Sequence, residues 1–305
     1  MTVRASATQF AHPRYWPTWL AVGLLRACAL LPYRPMMVLG RLLGRMALRF
    51  ARDRAHVVET NLRLCFPALD PAAIQALARR HAEALGMAVM DFAIAWWWSD
   101  DRLYAVAEIS GREHLEQAMA NGKGAIFLTA HFTSIEISGR LLADMCPALP
   151  MYRPNNNALL EWVMVRNRER HVEQTIPRQD VRLMIRTLKQ GKGVWFAPDQ
   201  NFGAKGHVFA PFFGVPTSSN TSLSRFAGMT GAAVVPFVVL RKPSGGYLMK
   251  IKPALQGFPS DDDVVDATRY NAIIEDWVRE APEQYNWIHR RFKKRPPGEP
   301  SAYHP

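Results

Sequence analysis

Residues 124–136 spell GAIFLTAHFTSIE and carry the clearest fold signal in the chain. The apolar run at 125–128 is short and continuous, and glycines stand before it at 122 and 124, which predicts a buried strand. A histidine and a glutamate follow as His131 and Glu136. The stretch therefore predicts a strand that delivers two ionisable side chains beyond its C-terminal end.

The spacing of His131 and Glu136 defines a candidate catalytic pair. Neutral imidazole accepts a proton near pH 7, and a carboxylate can fix its tautomer and stabilise the imidazolium. In one straight helix, five residues advance by about 500°, which leaves the two side chains roughly 140° apart. The pair can therefore meet only if His131 lies on the strand-to-helix turn and Glu136 lies one turn inside the helix. The alternative is an ordinary hydrogen-bonded pair without a catalytic role.

Strand and helix signals alternate on both sides of this stretch. Strands are predicted at 125–129, 194–197, 233–240 and 247–252, and helices at 71–95, 137–142, 159–170, 181–189, 218–229 and 269–280. This alternation predicts an α/β fold: a single catalytic domain over 55–305, with a central mixed sheet flanked by helices. In such folds the ligand chemistry lies at the C-terminal ends of the strands.

Length, charge and cysteine content exclude several classes of protein. The chain has 305 residues, of which 49% are hydrophobic, so it can bury a full core and is neither disordered nor fibrous. Its formal charge of +12 favours an anionic partner: nucleic acid, an acidic protein or anionic lipid. Cys28, Cys65 and Cys146 are odd in number and form no CxxC pair, which argues against a disulfide framework or a zinc site.

Residues 1–54 favour a membrane among these partners. The segment 15–33, YWPTWLAVGLLRACALLPY, is about as long as the core of a thin bilayer, and Trp16 and Trp19 lie where aromatic residues favour the headgroups. It predicts a retained N-terminal hydrophobic membrane-anchoring helix. Because Arg26 interrupts the segment, the helix either spans the bilayer or lies shallowly in it.

Residues 36–50 predict a basic amphipathic helix at an anionic membrane surface. Arg41, Arg45 and Arg49 are spaced by four and form one stripe beside apolar residues. More arginines follow the apolar segment than precede it, so the positive-inside rule places the catalytic domain in the cytoplasm. The alternative is a helix packed on the domain with its arginines in water.

Three further stretches carry polar chemistry. Arg153, in the turn-like YRPNNN at 152–157, could stabilise an oxyanion or bind a phosphate, or be an ordinary solvated arginine. Asp199 follows a strand in the same way as His131, so it is expected near the same pocket, unless it only caps a helix or turn. The run WIHRRFKKR at 287–295 could bind phosphate, an acidic protein or nucleic acid, or form a solvated charge cluster.

These stretches together resemble the late acyltransferases of lipid A biosynthesis. The resemblance rests on HPRYWPTWL at 12–20, NLRLCFP at 61–67, HxxxxE at 131–136, YRPNNN at 152–157, WFAPDQ at 195–200, FAPFFGVP at 209–216 and PEQYNWIHRRFKKRP at 282–296. It covers nearly the whole chain, with the motifs in the expected order. The lauroyl or palmitoleoyl branch is the most similar, and the myristoyl branch stays open.

The resemblance implies an enzyme of the bacterial inner membrane with its catalytic domain on the cytoplasmic face. Such an enzyme moves an acyl chain from acyl carrier protein to the hydroxyl of a 3-hydroxyacyl chain on Kdo-bearing lipid IV(A). The resemblance implies His131 as the base, Glu136 as the residue that orients it, and Arg153 at the thioester oxygen or at phosphate groups. The family pattern has an acidic residue where this chain has Asn201, which puts an acidic role at that position in doubt.

Other site residues follow from the same resemblance. Asp199 and the stretch 209–216, with Phe212 and Phe213, are expected to shape the pocket, although each phenylalanine taken singly could be simple core. Four cations of the C-terminal run are expected to bind the acceptor or the carrier protein: Arg290, Arg291, Lys293 and Lys294.

The required chemistry agrees with this assignment. Attack of a hydroxyl on a thioester needs a base, an oxyanion stabiliser and exclusion of water, so no metal and no cofactor are expected beyond acyl carrier protein as co-substrate. The absence of a GxSxG motif favours direct transfer without an acyl-enzyme. Two alternatives remain: a lysophospholipid acyltransferase that uses acyl-CoA, and a membrane-tethered basic nucleic-acid-binding protein. The second is disfavoured because the sequence has no recognisable nucleic-acid module.

Overall fold

The computed structural model of the protein describes residues 7–201 and 206–303. The α-helices in these ranges are α1 (Trp16–Cys28), α2 (Tyr33–Leu48), α3 (Arg52–Cys65), α4 (Pro71–Trp97), α5 (Asp100–Tyr104), α6 (Arg112–Met119), α7 (Ile135–Met145), α8 (Ala158–Arg168), α9 (Val181–Lys189), α10 (Ser222–Thr230) and α11 (Asp263–Glu280). The strands are β1 (Ala107–Ser110), β2 (Ala125–Leu128), β3 (Ala148–Tyr152), β4 (Ile176–Pro177), β5 (Gly193–Phe196), β6 (His207–Phe212), β7 (Val215–Asn220), β8 (Ala233–Arg241) and β9 (Tyr247–Ile251).

A seven-stranded sheet in the order β1-β9-β8-β2-β5-β3-β4 forms the centre of the fold. β2 lies between β5 and β8 and runs parallel to both, whereas β8 and β9 are antiparallel. The sheet is therefore mixed, and helices cover both faces, as the sequence predicts.

The core is divided by the sheet because successive side chains of a strand point to opposite faces. Ile126 and Leu128 of β2 belong to the cluster on the front face, which α3, α9, α10 and α11 cover. Ala125 and Phe127 belong to the cluster on the back face, which α6, α7 and α8 cover. All four side chains of β2 are buried, which explains its uninterrupted apolar sequence.

The four predicted strands are confirmed as β2, β5, β8 and β9, and α9 has the predicted bounds. The prediction of one helix over 218–229 is wrong at its start, because residues 218–220 belong to β7. β6 and β7 form an antiparallel hairpin whose turn residues, Phe213 and Gly214, have positive φ values of 52° and 74°. This conformation is typical of the two-residue turns that match the twist of paired strands.

The N-terminal segment 15–33 does not form one continuous helix. α1 has 13 residues and ends at Cys28, and α2 begins at Tyr33 after a turn. In the described part of the chain, no helix is both long enough and apolar enough to cross a membrane. The N-terminal membrane-anchoring helix therefore stays a prediction.

α2 packs closely against α4 through glycines at the helix crossing. A Cβ atom on Gly40 would lie 2.8 Å from the Cα of Met87, and one on Gly44 would overlap the carbonyl oxygen of Ala82. Gly86 on α4 meets the backbone of Gly40 and Gly44 in the same way. The absence of side chains at these positions brings the two backbones together, so α2 is held to the catalytic body.

Candidate active site

His131 and Asp199 come together because they follow neighbouring parallel strands. Leu128, the last residue of β2, is paired in register with Phe196, the last residue of β5. The pairing extends one step further, since the backbone N–H of Thr129 donates to the carbonyl of Phe196 at 3.0 Å. Two short turns then carry His131 and Asp199 over the same edge of the sheet.

Asp199 holds His131 through two hydrogen bonds. Its Oδ1 accepts from Nδ1 of the ring at 2.6 Å, and its Oδ2 accepts from the backbone N–H of His131 at 3.0 Å. A carboxylate at Nδ1 fixes the proton there and leaves Nε2 as the basic nitrogen. Nε2 has no hydrogen-bond partner among the described residues. The His131 side chain is 30% exposed and that of Asp199 only 2%, so the base is accessible from solvent and its partner is shielded.

The two groups shift each other's pKa. Burial alone would raise the pKa of Asp199, but the charge and hydrogen bonds of His131, with the charge of Arg291, outweigh it and lower the pKa to about 2. Burial alone would lower the pKa of His131, but the charge and hydrogen bond of Asp199 raise it above the ordinary value of 6.5. Asp199 is therefore ionised throughout the physiological range and stabilises the imidazolium that proton uptake would create.

Glu136 does not contact His131, which corrects the expected pairing. Its carboxylate accepts from Nε and Nη2 of Arg168 at 2.9 Å and 2.6 Å, and from Nε1 of Trp96 at 2.8 Å. Trp96 belongs to the back-face cluster, whereas Tyr285 beside Asp199 belongs to the front-face cluster. Glu136 does lie in the first turn of α7, as the pairing requires, but the turn directs it to the other side of the sheet.

The C-terminal segment 285–291 lines a cleft together with His131 and Asp199. The backbone N–H of Asn286 donates to the carbonyl of His131 at 2.9 Å, and Phe132 forms an isolated bridge with Tyr285. Burial, with the nearby charge of Asp199, raises the pKa of Tyr285 well above its usual value. Further residues lining the cleft are Asn61, Gln200, His289 and Arg291.

Asn61 and Asn201 tie this segment to the rest of the fold. The amide of Asn61 donates to the carbonyls of Trp287 and His289 at 2.8 Å and 2.9 Å, and its Oδ1 accepts from the hydroxyl of Tyr303. The backbone N–H of Asn201 donates to Nε2 of His289 at 2.9 Å. Burial lowers the pKa of His289 to about 4, so this ring is neutral near pH 7 and can accept that bond.

The other expected pocket residues lie in different places. Arg153 is exposed after β3 and has no ion pair among the described residues. Phe212 is buried behind the cleft, with its ring centroid 5.9 Å from that of Tyr285. Phe213 lies on the hairpin turn, packs against Phe66, and receives the guanidinium of Arg279 over its ring. The expectation that Phe213 lines the pocket is therefore corrected.

The C-terminal cations are only partly available to a partner. Arg291 is 2% exposed, and its guanidinium donates to the carbonyl of Ser218 at 2.7 Å, so the expectation that it contacts an acceptor or carrier is corrected. Arg290 and Lys294 are half-buried and Lys293 is exposed. Trp287 and Phe292 of this run belong to the core, and Arg291, which precedes Phe292, is buried with them.

The proposed membrane residues are exposed to different degrees. Trp16 is exposed, whereas Trp19 is half-buried and donates from Nε1 to the carbonyl of Phe10 at 3.0 Å. Arg45 pairs with Glu83 on α4 at 2.7 Å. Arg41 and Arg49 are exposed and have no ion pair with the described part of the chain. The stripe is thus present on α2, with one of its three cations tied to the body.

Sequence reasoning gave no role to Arg168, Asn61, Tyr285 or Asn286. The last three lie within motifs that carry the family resemblance, and that was their only signal. Arg168 had none, because it is separated from Glu136 by a strand and a helix. Over residues 7–201 and 206–303, no group of His, Cys, Asp and Glu is arranged to hold a metal ion.

Comparison with known proteins shows the family to which the chain belongs. The family described as bacterial lipid A biosynthesis acyltransferase matches residues 4–294. The chain is 39% identical over 299 residues to the lipid A biosynthesis lauroyltransferase of Escherichia coli (strain K12), covering 97% of this chain and 98% of that one. It is 40% identical over 300 residues to the palmitoleoyltransferase of the same organism, covering 97% of each, and 28% identical over 301 residues to its myristoyltransferase, covering 96% and 92%. The chain is therefore an acyltransferase and belongs to the family of bacterial lipid A biosynthesis acyltransferases.

Proposed function

We propose that the protein transfers a fatty acyl chain from an acyl carrier protein thioester to the hydroxyl of a 3-hydroxyacyl chain on Kdo-bearing lipid IV(A). The observation that carries the proposal is the pair formed by the part-exposed His131 and the buried Asp199, which binds Nδ1 and leaves Nε2 as the basic nitrogen. This arrangement suits removal of a proton from a hydroxyl. The names of the lauroyltransferase and palmitoleoyltransferase relatives support a lipid A acceptor.

In the proposed reaction, Nε2 of His131 takes the proton of the acceptor hydroxyl as its oxygen attacks the thioester carbonyl carbon. The tetrahedral intermediate collapses, the carbon–sulfur bond breaks, and the imidazolium returns its proton to the leaving thiolate. An ester and a free thiol result, and no acyl-enzyme forms. Asp199 stays ionised throughout, holds the tautomer and offsets the charge on His131.

We assign the oxyanion contact to Asn286 rather than Arg153. Asn286 lines the cleft together with His131 and Asp199. Its backbone hydrogen bond to the carbonyl of His131 fixes its distance from the base. The amide group of such a side chain can donate to a developing oxyanion.

Glu136 and Arg168 act as positioning residues in this proposal. Glu136 accepts from both Arg168 and Trp96, and this ties the first turn of α7 to α8 and α4 behind the sheet. His131 lies on the turn that leads into α7, so a shift of this helix would move the base. The pair therefore supports the geometry of His131 from the back face, without touching the reacting atoms.

The membrane and carrier-protein partners belong to the same proposal. α1 exposes Trp16, Leu20 and Leu24, spaced by four, and α2 exposes the ridge Val38, Leu42 and Met46, also spaced by four. The arginine stripe adjoins the second ridge, which fits an anionic lipid surface at the cytoplasmic face of the inner membrane. The net charge of +12 favours acyl carrier protein and the phosphorylated acceptor, both anionic.

A panel of donors and acceptors tests the proposal. Detergent-solubilised protein is incubated with one donor, lauroyl-acyl carrier protein or lauroyl-CoA, and one acceptor, Kdo-lipid IV(A) or a lysophospholipid. The masses of the lipid products are then measured by mass spectrometry. We expect one added acyl chain on Kdo-lipid IV(A), with the carrier-protein donor preferred. Faster acylation of lysophospholipid from lauroyl-CoA would refute the proposed substrates and establish the alternative.

A further inference from the structure

A groove of about 580 Å³ lies behind α2, outside the cleft that holds His131. α2 forms one wall, the β8–β9 hairpin forms the floor, and residues 280–284 close the far side. The apolar side chains Met37, Val38, Met87, Leu240 and Leu248 line it. Such a mixture of apolar walls and a few polar groups is typical of a ligand site.

Two cations of α2 are available in this groove. Arg34 and Arg41 both line it, are exposed, and have no ion pair among the described residues. They are seven residues apart, so they lie on one face of the helix about 10 Å from each other. They can therefore face a ligand from the same side of the groove.

The remaining charges of the groove are mostly neutralised. Arg241 pairs with Asp91, Lys242 with Glu108, and Glu280 with Lys250. Among the described residues, the carboxylate of Glu283 accepts only a long hydrogen bond of 3.5 Å from Nε2 of Gln284. The unpaired charges are therefore two cations on the α2 wall and one carboxylate on the opposite wall, which together leave a net charge of +1. This net charge suits a singly charged anion better than a doubly charged one.

The groove opens at the exposed apolar ridge of α2. Val38 is 53% exposed, lines the groove, and begins the ridge that continues through Leu42 and Met46. An amphiphile that lays its chains along this ridge would bring its headgroup to Arg34 and Arg41. This geometry admits a ligand from a bilayer.

The groove and the catalytic cleft lie on opposite sides of one segment of chain. Gln284 lines the groove, whereas its neighbours Tyr285 and Asn286 line the cleft. The backbone N–H of Thr133 donates to the carbonyl of Gln284 at 2.7 Å, which closes the wall between them. A ligand in the groove therefore need not displace one in the cleft.

We propose that this groove binds the phosphodiester headgroup of an anionic phospholipid of the surrounding bilayer, held by Arg34 and Arg41. The inference rests on the proposed membrane association. The single negative charge of a phosphodiester matches the free charges of the groove, and Glu283 can accept from a headgroup hydroxyl. The bound lipid would fix α2, and with it the catalytic cleft, at a defined depth on the bilayer.

The test measures binding of dihexanoylphosphatidylglycerol, kept below its micelle concentration, to the full-length protein by calorimetry. The variants are Arg34→Gln/Arg41→Gln and the matched control Arg79→Gln/Arg80→Gln, which removes the same charge from two exposed arginines of α4 outside the groove. We expect one bound lipid per chain, and about tenfold or more weaker binding in the first variant only. Lipid binding is measured without acyl transfer, so failure to bind the lipid is distinguishable from failure of the proposed reaction.

Two results would overturn the proposal. Equal weakening in both double variants would mean that the lipid responds only to the diffuse positive charge of the protein. Displacement of the lipid by glucosamine 1-phosphate at similar concentrations would assign the groove to a phosphomonoester instead. Dihexanoylphosphatidylcholine, which carries no net charge, should bind more weakly than the glycerol lipid, and thermal unfolding should be unchanged because neither arginine has a partner to lose.

Discussion

The replacement Asp199→Asn tests which carboxylate governs His131. Asp199 is the buried anion whose Oδ1 lies 2.6 Å from Nδ1 of the ring, and it raises the pKa of His131 above 6.5. The reaction needs the neutral ring, so activity of the native protein should fall as the pH decreases through a value above 6.5. Asparagine removes the charge but keeps the size of the side chain.

Two changes are expected in the variant. Turnover should fall by about 10²–10⁴-fold, because the tautomer and the imidazolium lose their partner, as in the corresponding Asp→Asn change of a Ser-His-Asp triad. A fall of about 10³-fold corresponds to about 4 kcal/mol of activation free energy. In the pH–activity profile, the acidic limb (the loss of activity as the pH falls) should also move below pH 6.5. The reason is that burial, which lowers the pKa of His131, is no longer opposed by Asp199.

The assay is kcat/KM for acyl transfer between pH 5 and 9, compared with Glu136→Gln as a matched control. Glu136 is also a buried carboxylate, but it contacts Arg168 and Trp96 instead of His131. Its variant should therefore keep the acidic limb of the native protein, even if turnover falls because α7 shifts. The reasoning would be refuted if the acidic limb of the pH–activity profile moved in Glu136→Gln and stayed at its native position in Asp199→Asn.

Two further predictions concern stability. Gly44→Ala should lower the free energy of unfolding by about 1–3 kcal/mol, because the added Cβ overlaps the carbonyl of Ala82. Gly23→Ala adds a Cβ with nothing within 4 Å, so it should be neutral or stabilising by up to about 1 kcal/mol. Urea titration compares the two variants, and equal effects would contradict the packing of α2 on α4. Burial lowers the pKa of His81 to about 4, so the native state resists protonation and stability should be lost as the pH falls from about 6.5 to 4, by about 3 kcal/mol. His81→Gln should remove that loss between pH 7 and pH 4, and an unchanged pH dependence would show that His81 does not cause it.

The main elements could be predicted because their signals are local. β2, β5 and β8 are buried on both faces and are therefore continuous apolar runs. α9 has the predicted bounds because Asp180 caps it and apolar residues recur at helical spacing.

The hairpin β6–β7 was harder to predict because β7 is polar. Its sequence VPTSSN has no alternating hydrophobic pattern, yet residues 217–219 are buried. The reason is tertiary: Ser218 and Ser219 accept hydrogen bonds from Arg291, and Ser219 from Asn271. Nothing local to 215–220 indicates these partners.

Part of the active site could likewise be predicted from local sequence signals, and part depends on tertiary structure. His131 could be found from its position after a strand, and Asp199 from the same position after another strand. The partner of His131 could not be chosen from sequence, because Glu136 is five residues away and Asp199 is 68. The register of β2 and β5 decides in favour of Asp199, and neither strand reveals that register alone.

Single-turnover acyl transfer in His131→Ala tests the central claim most directly. Lauroyl-acyl carrier protein and Kdo-lipid IV(A) are mixed with excess enzyme, and the masses of the lipid product and of the intact enzyme are measured by mass spectrometry. We expect native enzyme to add one acyl chain to the lipid without becoming acylated itself, and His131→Ala to do so about 10²–10⁴-fold more slowly. Transfer at the native rate in His131→Ala, or an acylated native enzyme that forwards its chain to the lipid, would contradict the account.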